Sequence, residues 1–283
     1  MPQNERDKLK QQLQSYVGSL LWLSQATRPD LSVITSILAK HQNNPSPGHI
    51  AAAKYVIKYL KSTKSMGIAF HSDGKLNIQS FIHFSIPKTR IFAMTDANWG
   101  SQDQSVPNPQ EPPTEIDLYK TRSISGYLIN LMGPLHWSAN RQHITARSTA
   151  EADIYATDEC VKSILQLSHI IKDLDLHHEL LDKSLPIFND NNACVQWNKN
   201  TTTRSIRHIQ IRDNASREAV HIKKITITHV GGKDNPADIF TKEQKDTDHF
   251  LKLRDIVLFL LHMITPLLIQ KTLRPRGVVN LLT

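Results

Sequence analysis

The order of secondary-structure signals predicts an α/β chain, a mixed sheet covered by helices, preceded by a small all-helical unit. Three observations carry that prediction. Helical periodicity repeats three times in the first 65 residues or so, with turn clusters between. From residue 78 the order is strand, strand, long loop, strand, strand, long helix, strand, helix, helix, strand, helix, for which a helix-covered sheet is the natural layer solution. Acidic residues also recur at element ends, where an α/β sheet opens a crevice.

In the first unit, Leu9, Leu13, Tyr16, Val17, Leu20, Leu21 and Leu23 recur at three- and four-residue steps, so residues 6–26 read as a helix. Thr27-Arg28-Pro29-Asp30 interrupts it, with Asp30 placed to cap a second helix from Leu31 to about His41. The turn cluster Asn43 to Gly48 separates this from a third helix, His49 to about Lys61. The charged residues of this unit read as solvated or turn-bound.

The texture then changes. Ile78 to Phe84 and Thr89 to Thr95 read as strands. Ser101 to Glu115, with four prolines, reads as a long exposed loop. Ile124 to Leu131 and Leu135 to Ala139 form an expected antiparallel pair around Met132-Gly133-Pro134, and a long helix begins near Ser148. Leu185 to Phe188 is a short strand, Asn191 to Lys199 a short helix, and a further helix runs to about Lys223. Lys224 to Val230 alternates as a strand, and Pro236 opens a last short helix.

With 34 Lys and Arg against 26 Asp and Glu, the 283 residues carry a formal charge of +8, compatible with nucleic acid as a partner. A hydrophobic fraction of 39% argues against wholesale disorder. Two cysteines exclude a disulfide framework and a four-thiolate zinc site, and fit a reduced intracellular setting, cytoplasmic or nuclear. The amino-terminal residues lack the apolar core of a secretion signal. Ile256 to Ile269, the most apolar run, is shorter than the roughly 20 residues of a membrane span and reads as a covered helix, so no membrane partner is expected.

Asp96 and Asp190 each follow a strand-like run, Glu151 and Asp153 lie at the start of the long helix, and Asp238 opens the last one. Each acid alone also suits a cap or a turn. Four carboxylates from distant segments can hold two divalent ions about 4 Å apart and act on phosphate. His229, before Gly231-Gly232, is a candidate proton carrier or a plain strand-end histidine. Arg204, Arg207, Arg212 and Arg217, with Lys199, form a basic patch suited to a phosphate backbone.

These motifs resemble the carboxy-terminal part of a copia-type retrotransposon polyprotein. In the first unit the likeness rests on Tyr16-Val17-Gly18-Ser19-Leu20, Thr27-Arg28-Pro29-Asp30-Leu31 and Tyr59-Leu60-Lys61-Ser62-Thr63. In the second it rests on Thr95-Asp96-Ala97-Asn98-Trp99, Ser148-Thr149-Ala150-Glu151-Ala152-Asp153, Asp190-Asn191, Arg207-His208-Ile209 and Ala237-Asp238-Ile239-Phe240-Thr241-Lys242.

The resemblance implies three parts: residues 1–74, like the end of a reverse transcriptase (thumb or connection); residues 75–245, a ribonuclease-H-like domain with a mixed five-stranded sheet; and a helical tail, residues 246–283. It implies hydrolysis of the RNA strand of RNA–DNA hybrids with two Mg²⁺, or Mn²⁺ in their place. Asp96, Asp190 and Asp238 match three of the family's four acids. The remaining one is Glu151 or Asp153, with the spacing to Ala156 favouring Asp153, one methylene shorter than the family's glutamate. No polymerase-like Asp-Asp pair precedes residue 96, so polymerase activity is not expected, and the polymerase part becomes a candidate partner. The rival readings are a nucleic-acid-binding remnant without turnover and a non-functional polyprotein fragment.

Overall fold

The computed structural model describes residues 2–70, 91–100, 122–181, 184–200 and 214–260. The expected strand at 78–84, the loop at 101–115 and Arg204, Arg207 and Arg212 lie outside these residues, as does the apolar run beyond Leu260.

Helix α1 spans Gln3–Ala26, a 3-10 turn Pro29–Leu31, α2 Ser32–Lys40 and α3 Pro47–Ser62. Their apolar stripes meet in one cluster through Leu13, Val17, Leu20, Leu31, Leu38, Ile50 and Val56. Pro47 occupies the first turn of α3, and the side chain of His49 reaches back to the backbone N–H of Ser46 at 2.9 Å. The charged residues of this unit are not all solvated. Arg28 and Asp30 are both buried, and the guanidinium donates to the two Asp30 oxygens at 3.0 and 2.8 Å while Tyr59 Oη donates at 2.7 Å. Asp30 therefore ties the connection after α1 to α3 instead of capping α2, because a buried carboxylate must find donors wherever they are.

The second part holds a five-stranded mixed sheet in the order β4-β3-β2-β5-β6. Strand β2 is Ile91–Asn98, β3 Ile124–Leu131, β4 Pro134–Arg141, β5 Leu185–Asn189 and β6 Ile225–His229. The pairs β2/β3 and β3/β4 are antiparallel, whereas β5 is parallel to both β2 and β6. This is the mixed five-stranded sheet that the resemblance implied. The expected hairpin is present, and its turn passes through Met132 at φ 57°. Gly133 lies so close to Ala69 that a Cβ there would stand 2.2 Å from the Ala69 carbonyl oxygen.

The central strand is buried on both faces, so its alternating side chains enter two cores. Ile91 and Ala93 pack with Cys160, Val161 and Ile164 of the long helix α4, Thr149–Asp173, and with Val195 and Ala219. These last two belong to α6 (Asn192–Lys199) and α7 (Asn214–His221), which follow the single-turn α5 (His177–Leu180). Phe92 and Met94 face the other core, with Ile239 and Phe240 of a 3-10 turn, Pro236–Phe240, and with Leu253, Ile256 and Val257 of α8, Thr247–Val257.

Two expectations change here. Pro236–Phe240 is a 3-10 turn, not an α-helix. Helix α8 ends at Val257, and Phe259–Leu260 (β7) pairs antiparallel with Met66–Gly67 (β1), so the apolar run does not begin as one continuous helix. Met66 and α8 share one core with the sheet, which packs the ends of the first and third expected parts against the second. Among the described residues no helix is long and apolar enough to cross a membrane.

Candidate metal centre

The candidate acids meet where β2 and β5 part. The last parallel pair is Thr95 with Asn189, and Asp190 follows directly. Asp96 was expected just past a strand end, but β2 continues to Asn98 because its other side stays paired to β3, with Asp96 opposite Gly126. Asp153 enters from the first turns of α4. One oxygen of each of Asp96, Asp153 and Asp190 lies within 4.8 Å of the others.

Glu151 and Asp153 are both buried, yet they do different work. Ser148 caps α4 by accepting from the Glu151 N–H at 3.1 Å. The Glu151 carboxylate bends back to accept from the Arg147 N–H at 2.6 Å and from Tyr155 Oη at 3.2 Å. This satisfies the Glu151 N–H and the N–H of Arg147 just before the helix, a capping arrangement. Asp153 points to the cluster, where its two oxygens accept from Asn189 Nδ2 at 3.3 Å and Asn191 Nδ2 at 2.9 Å. The shorter aspartate reaches because α4 packs directly on β2 and β3.

Asp238 is buried nearby but falls outside the group of three. Lys242 Nζ lies 2.8 Å from one of its oxygens and 3.5 Å from Asp96, and His249 Nε2 stands 3.8 Å from the other. Thr241 Oγ1 donates to Asp96. His229 is exposed at the end of β6, its Nε2 3.0 Å from the backbone carbonyl of Asp190, so it borders the cluster without touching an acidic side chain.

The electrostatics follow from crowding. Two unit charges 4 Å apart interact by about 4 kcal/mol at the effective dielectric of a protein surface, so buried like charges oppose each other's ionisation. Burial, then the Asp96 charge, raises the Asp153 carboxyl to about 8. The same two causes raise Asp190, and raise Asp238 to about 7. Burial works to lower Lys242, but the charges of Asp96 and Asp238 hold it above its ordinary value.

Two buried carboxylates and a half-buried one, converging from three segments, fit a hard divalent ion. An all-oxygen donor set suits Mg²⁺ or Mn²⁺, not zinc. The two cysteines are buried, with thiols raised by burial, and take no part.

Asn189, Asn235, Thr241 and Lys242 were not singled out as site residues from the sequence. Asn235 Nδ2 donates to the Thr95 carbonyl at 2.8 Å, where the β2/β5 ladder ends. Asn189 Nδ2 donates to Thr95 Oγ1 at 2.9 Å as well as to Asp153. The legible signal was their position: amides flank Asp190 on both sides, and Asn235 begins the segment that carries Asp238. Of the expected basic patch, Lys199 and Arg217 are among the described residues, Lys199 at the end of α6. Arg217 stacks over the Trp197 ring at 4.9 Å and donates to the Asn200 carbonyl.

Comparison with known proteins adds the lineage. No protein-family model matches the chain. The Retrovirus-related Pol polyprotein from transposon TNT 1-94 of Nicotiana tabacum is 25% identical over 230 residues, 81% of this chain and 15% of that protein. Secreted RxLR effector protein 161 of Plasmopara viticola is 28% identical over 155 residues, 54% of this chain and 89% of that protein. Among solved structures, LC11-RNase H1, isolated from compost by a metagenomic approach, is 14% identical with a TM-score of 0.35, covering 54% of this chain and 93% of that one. The chain thus spans only 15% of the polyprotein from Nicotiana tabacum. Its homologues include copia-type retrotransposon Pol and Gag-Pol polyproteins, matched at about 25% identity over about 80% of the chain.

Proposed function

We propose that the chain is a divalent-metal-dependent endonuclease that hydrolyses the RNA strand of RNA–DNA hybrids, as the ribonuclease H part of a retrotransposon polyprotein. The observation that carries this reading is the convergence of Asp96, Asp153 and Asp190 within 4.8 Å at the carboxyl edge of the sheet. Homology to Pol polyproteins supports it. Mg²⁺ is the ion proposed, with Mn²⁺ as a substitute.

Asp96, Asp153 and Asp190 would hold the metal, and Glu151 would set the start of α4 that aims Asp153. Bound metal supplies an activated water and stabilises negative charge on the phosphate. Asn189 and Asn191 keep the Asp153 oxygens oriented through their amide donors. Asp238 acts through Lys242 beside Asp96. His229, at the rim, is placed to pass protons to and from solvent. Arg204, Arg207 and Arg212 are proposed to meet the hybrid's phosphates, and the polymerase part of a polyprotein is a second proposed partner.

Release of labelled fragments from a hybrid in Mg²⁺ is the direct test. Asp153→Asn nearly keeps the side chain's shape but removes the carboxylate and one of the two oxygens that accept from Asn189 and Asn191, and should lower the rate on the order of a hundredfold or more. Equal rates for Asp96→Asn, Asp153→Asn and the unaltered chain would reject the assignment. Salt-dependent hybrid binding without cleavage would favour the non-hydrolytic remnant instead.

A further inference from the structure

We propose that Gln142 is a positioning residue of the carboxylate centre: its side-chain amide ties the first turn of α4, which carries Asp153, to the strand beside Asp96. The proposal rests on the metal-dependent reading above and deepens it.

Gln142 follows directly on β4 and is buried. Its backbone N–H donates to the Ser123 carbonyl at 2.8 Å, which fixes it against the start of β3. Its Nε2 then donates two ways, to the Ala152 carbonyl at 2.8 Å and to Ser125 Oγ at 3.0 Å. Ala152 stands between Glu151 and Asp153 on α4. Ser125 pairs across the ladder with Ala97, the neighbour of Asp96. One amide nitrogen therefore joins the backbones that carry two of the three clustered acids.

The orientation of the amide is forced. A carbonyl oxygen can only accept, so the NH₂ end must face Ala152. Among the described residues Oε1 has no hydrogen-bond partner, so the polar contacts of this side chain are those of its nitrogen.

The packing of α4 explains the need for such a tie. Farther along the helix, Cys160, Val161 and Ile164 sit against Ile91, Ala93 and Ile129 of the sheet, and this apolar contact sets the spacing there. At its start, Ala152 meets Ala146 and Tyr155, with Ala97 and Ile144 beside them. Alanine against alanine buries little surface with which to hold a distance. Ser148 decides where the helix begins, but its cap bonds along the axis. Gln142 bonds across it, from helix to strand. The hydroxyl contact of Thr157 with Thr95, 3.2 Å, lies a turn further in.

The test is the Mn²⁺ affinity of the full chain, read by calorimetry without nucleic acid. Gln142→Met keeps the length of the side chain and removes both donated bonds, while the Ala152 carbonyl keeps its place in the helical ladder. It should weaken Mn²⁺ binding about tenfold or more, the usual effect of losing a residue that orients a metal ligand. Ser125→Ala removes the anchor on β3 and should give a smaller loss of the same sign. It should add little to Gln142→Met, since both act through one contact. Ile225→Val, buried at the end of β6 away from the acids, should lower stability and leave Mn²⁺ affinity unchanged. Circular-dichroism melts establish that each variant is folded at the temperature of titration. Unchanged affinity in folded Gln142→Met overturns the proposal, and so does an equal loss in Ile225→Val, which would mark general loosening. Should Gln142→Met unfold, Ser125→Ala decides: weakened binding supports the tie and unchanged binding overturns it. An unaltered chain that binds no Mn²⁺ overturns the metal reading and this one with it. Mn²⁺ binding without hybrid cleavage overturns only the hydrolase reading.

Discussion

Asp153 shows how one side chain can couple folding to metal. Its carboxyl, raised to about 8 by burial and by Asp96, stays protonated in the metal-free fold at neutral pH, while the unfolded chain ionises it near the ordinary value of about 4. Asp238, raised to about 7, adds to this at lower pH, and Asp190 is shifted in the same direction by burial and by Asp96. The unfolded state therefore releases protons first as pH rises. Stability conferred by these protonated acids is complete at low pH and lost through the folded values. In EDTA the melting temperature should fall as pH increases from about 5 and level off above about 8, by this linkage. Mg²⁺ should raise it most at the upper end, where the ligands are ionised. Asp153→Asn should flatten the slope, and a pH-independent melt of the unaltered chain would contradict this account.

A second residue-scale case lies far from the centre. Arg28 and Asp30 form a buried bidentate pair, and the guanidinium also donates to Thr63 Oγ1 at 2.9 Å. Arg28→Met leaves a buried carboxylate with Tyr59 as a remaining donor. It should cost about 3 kcal/mol in chemical denaturation. A change below about 0.5 kcal/mol, the range of ordinary surface substitutions, would mean that water reaches the pair.

Between elements, the contact that matters most to the centre is β3 against the turn after β6. Gly126 lies opposite Asp96, and a Cβ there would stand 2.5 Å from Thr241 Cγ2 and 2.9 Å from Phe240 Cβ. The missing side chain is what lets the Pro236–Phe240 turn press against the sheet and bring Thr241 to Asp96. Gly126→Ala should destabilise by about 1–3 kcal/mol through overpacking. It should also weaken Mn²⁺ binding, because Thr241 and Lys242 must shift with the turn. Unchanged stability and unchanged Mn²⁺ affinity would show that the turn yields freely.

For the whole molecule, the question is where its parts end. The ribonuclease-H-like part was expected to close at residue 245, yet Leu253, Ile256 and Val257 of α8 fill the core beneath Phe92 and Met94. A chain ending at Lys245 would expose that core. It should lose its cooperative unfolding transition or bind a hydrophobic dye strongly, whereas a sharp transition of normal midpoint would make α8 dispensable. The part-boundaries proposed from the resemblance are therefore better treated as segments of one packed body than as separable domains.

Much of this was legible in the residues. The three amino-terminal helices, the β3/β4 hairpin, α4 with its Ser148 cap and the strands β5 and β6 were readable because local periodicity and capping act within a few residues. The acids were readable as candidates because they sit at element ends. Which acid does what was not. Glu151 and Asp153 are two residues apart with similar chemistry, and only the packing of α4 on β2 and β3 turns one to the cap and the other to the cluster. Asp30 looked like a cap until α3 supplied Tyr59. Lys242 was visible as a letter of a motif, but its charge gains meaning only where the turn folds it between Asp96 and Asp238. Local rules act along the chain and survive in its order. Placing Asp30, Asp96 and Asp153 draws on partners 29 to 145 residues away, which only the folded chain brings within hydrogen-bond reach.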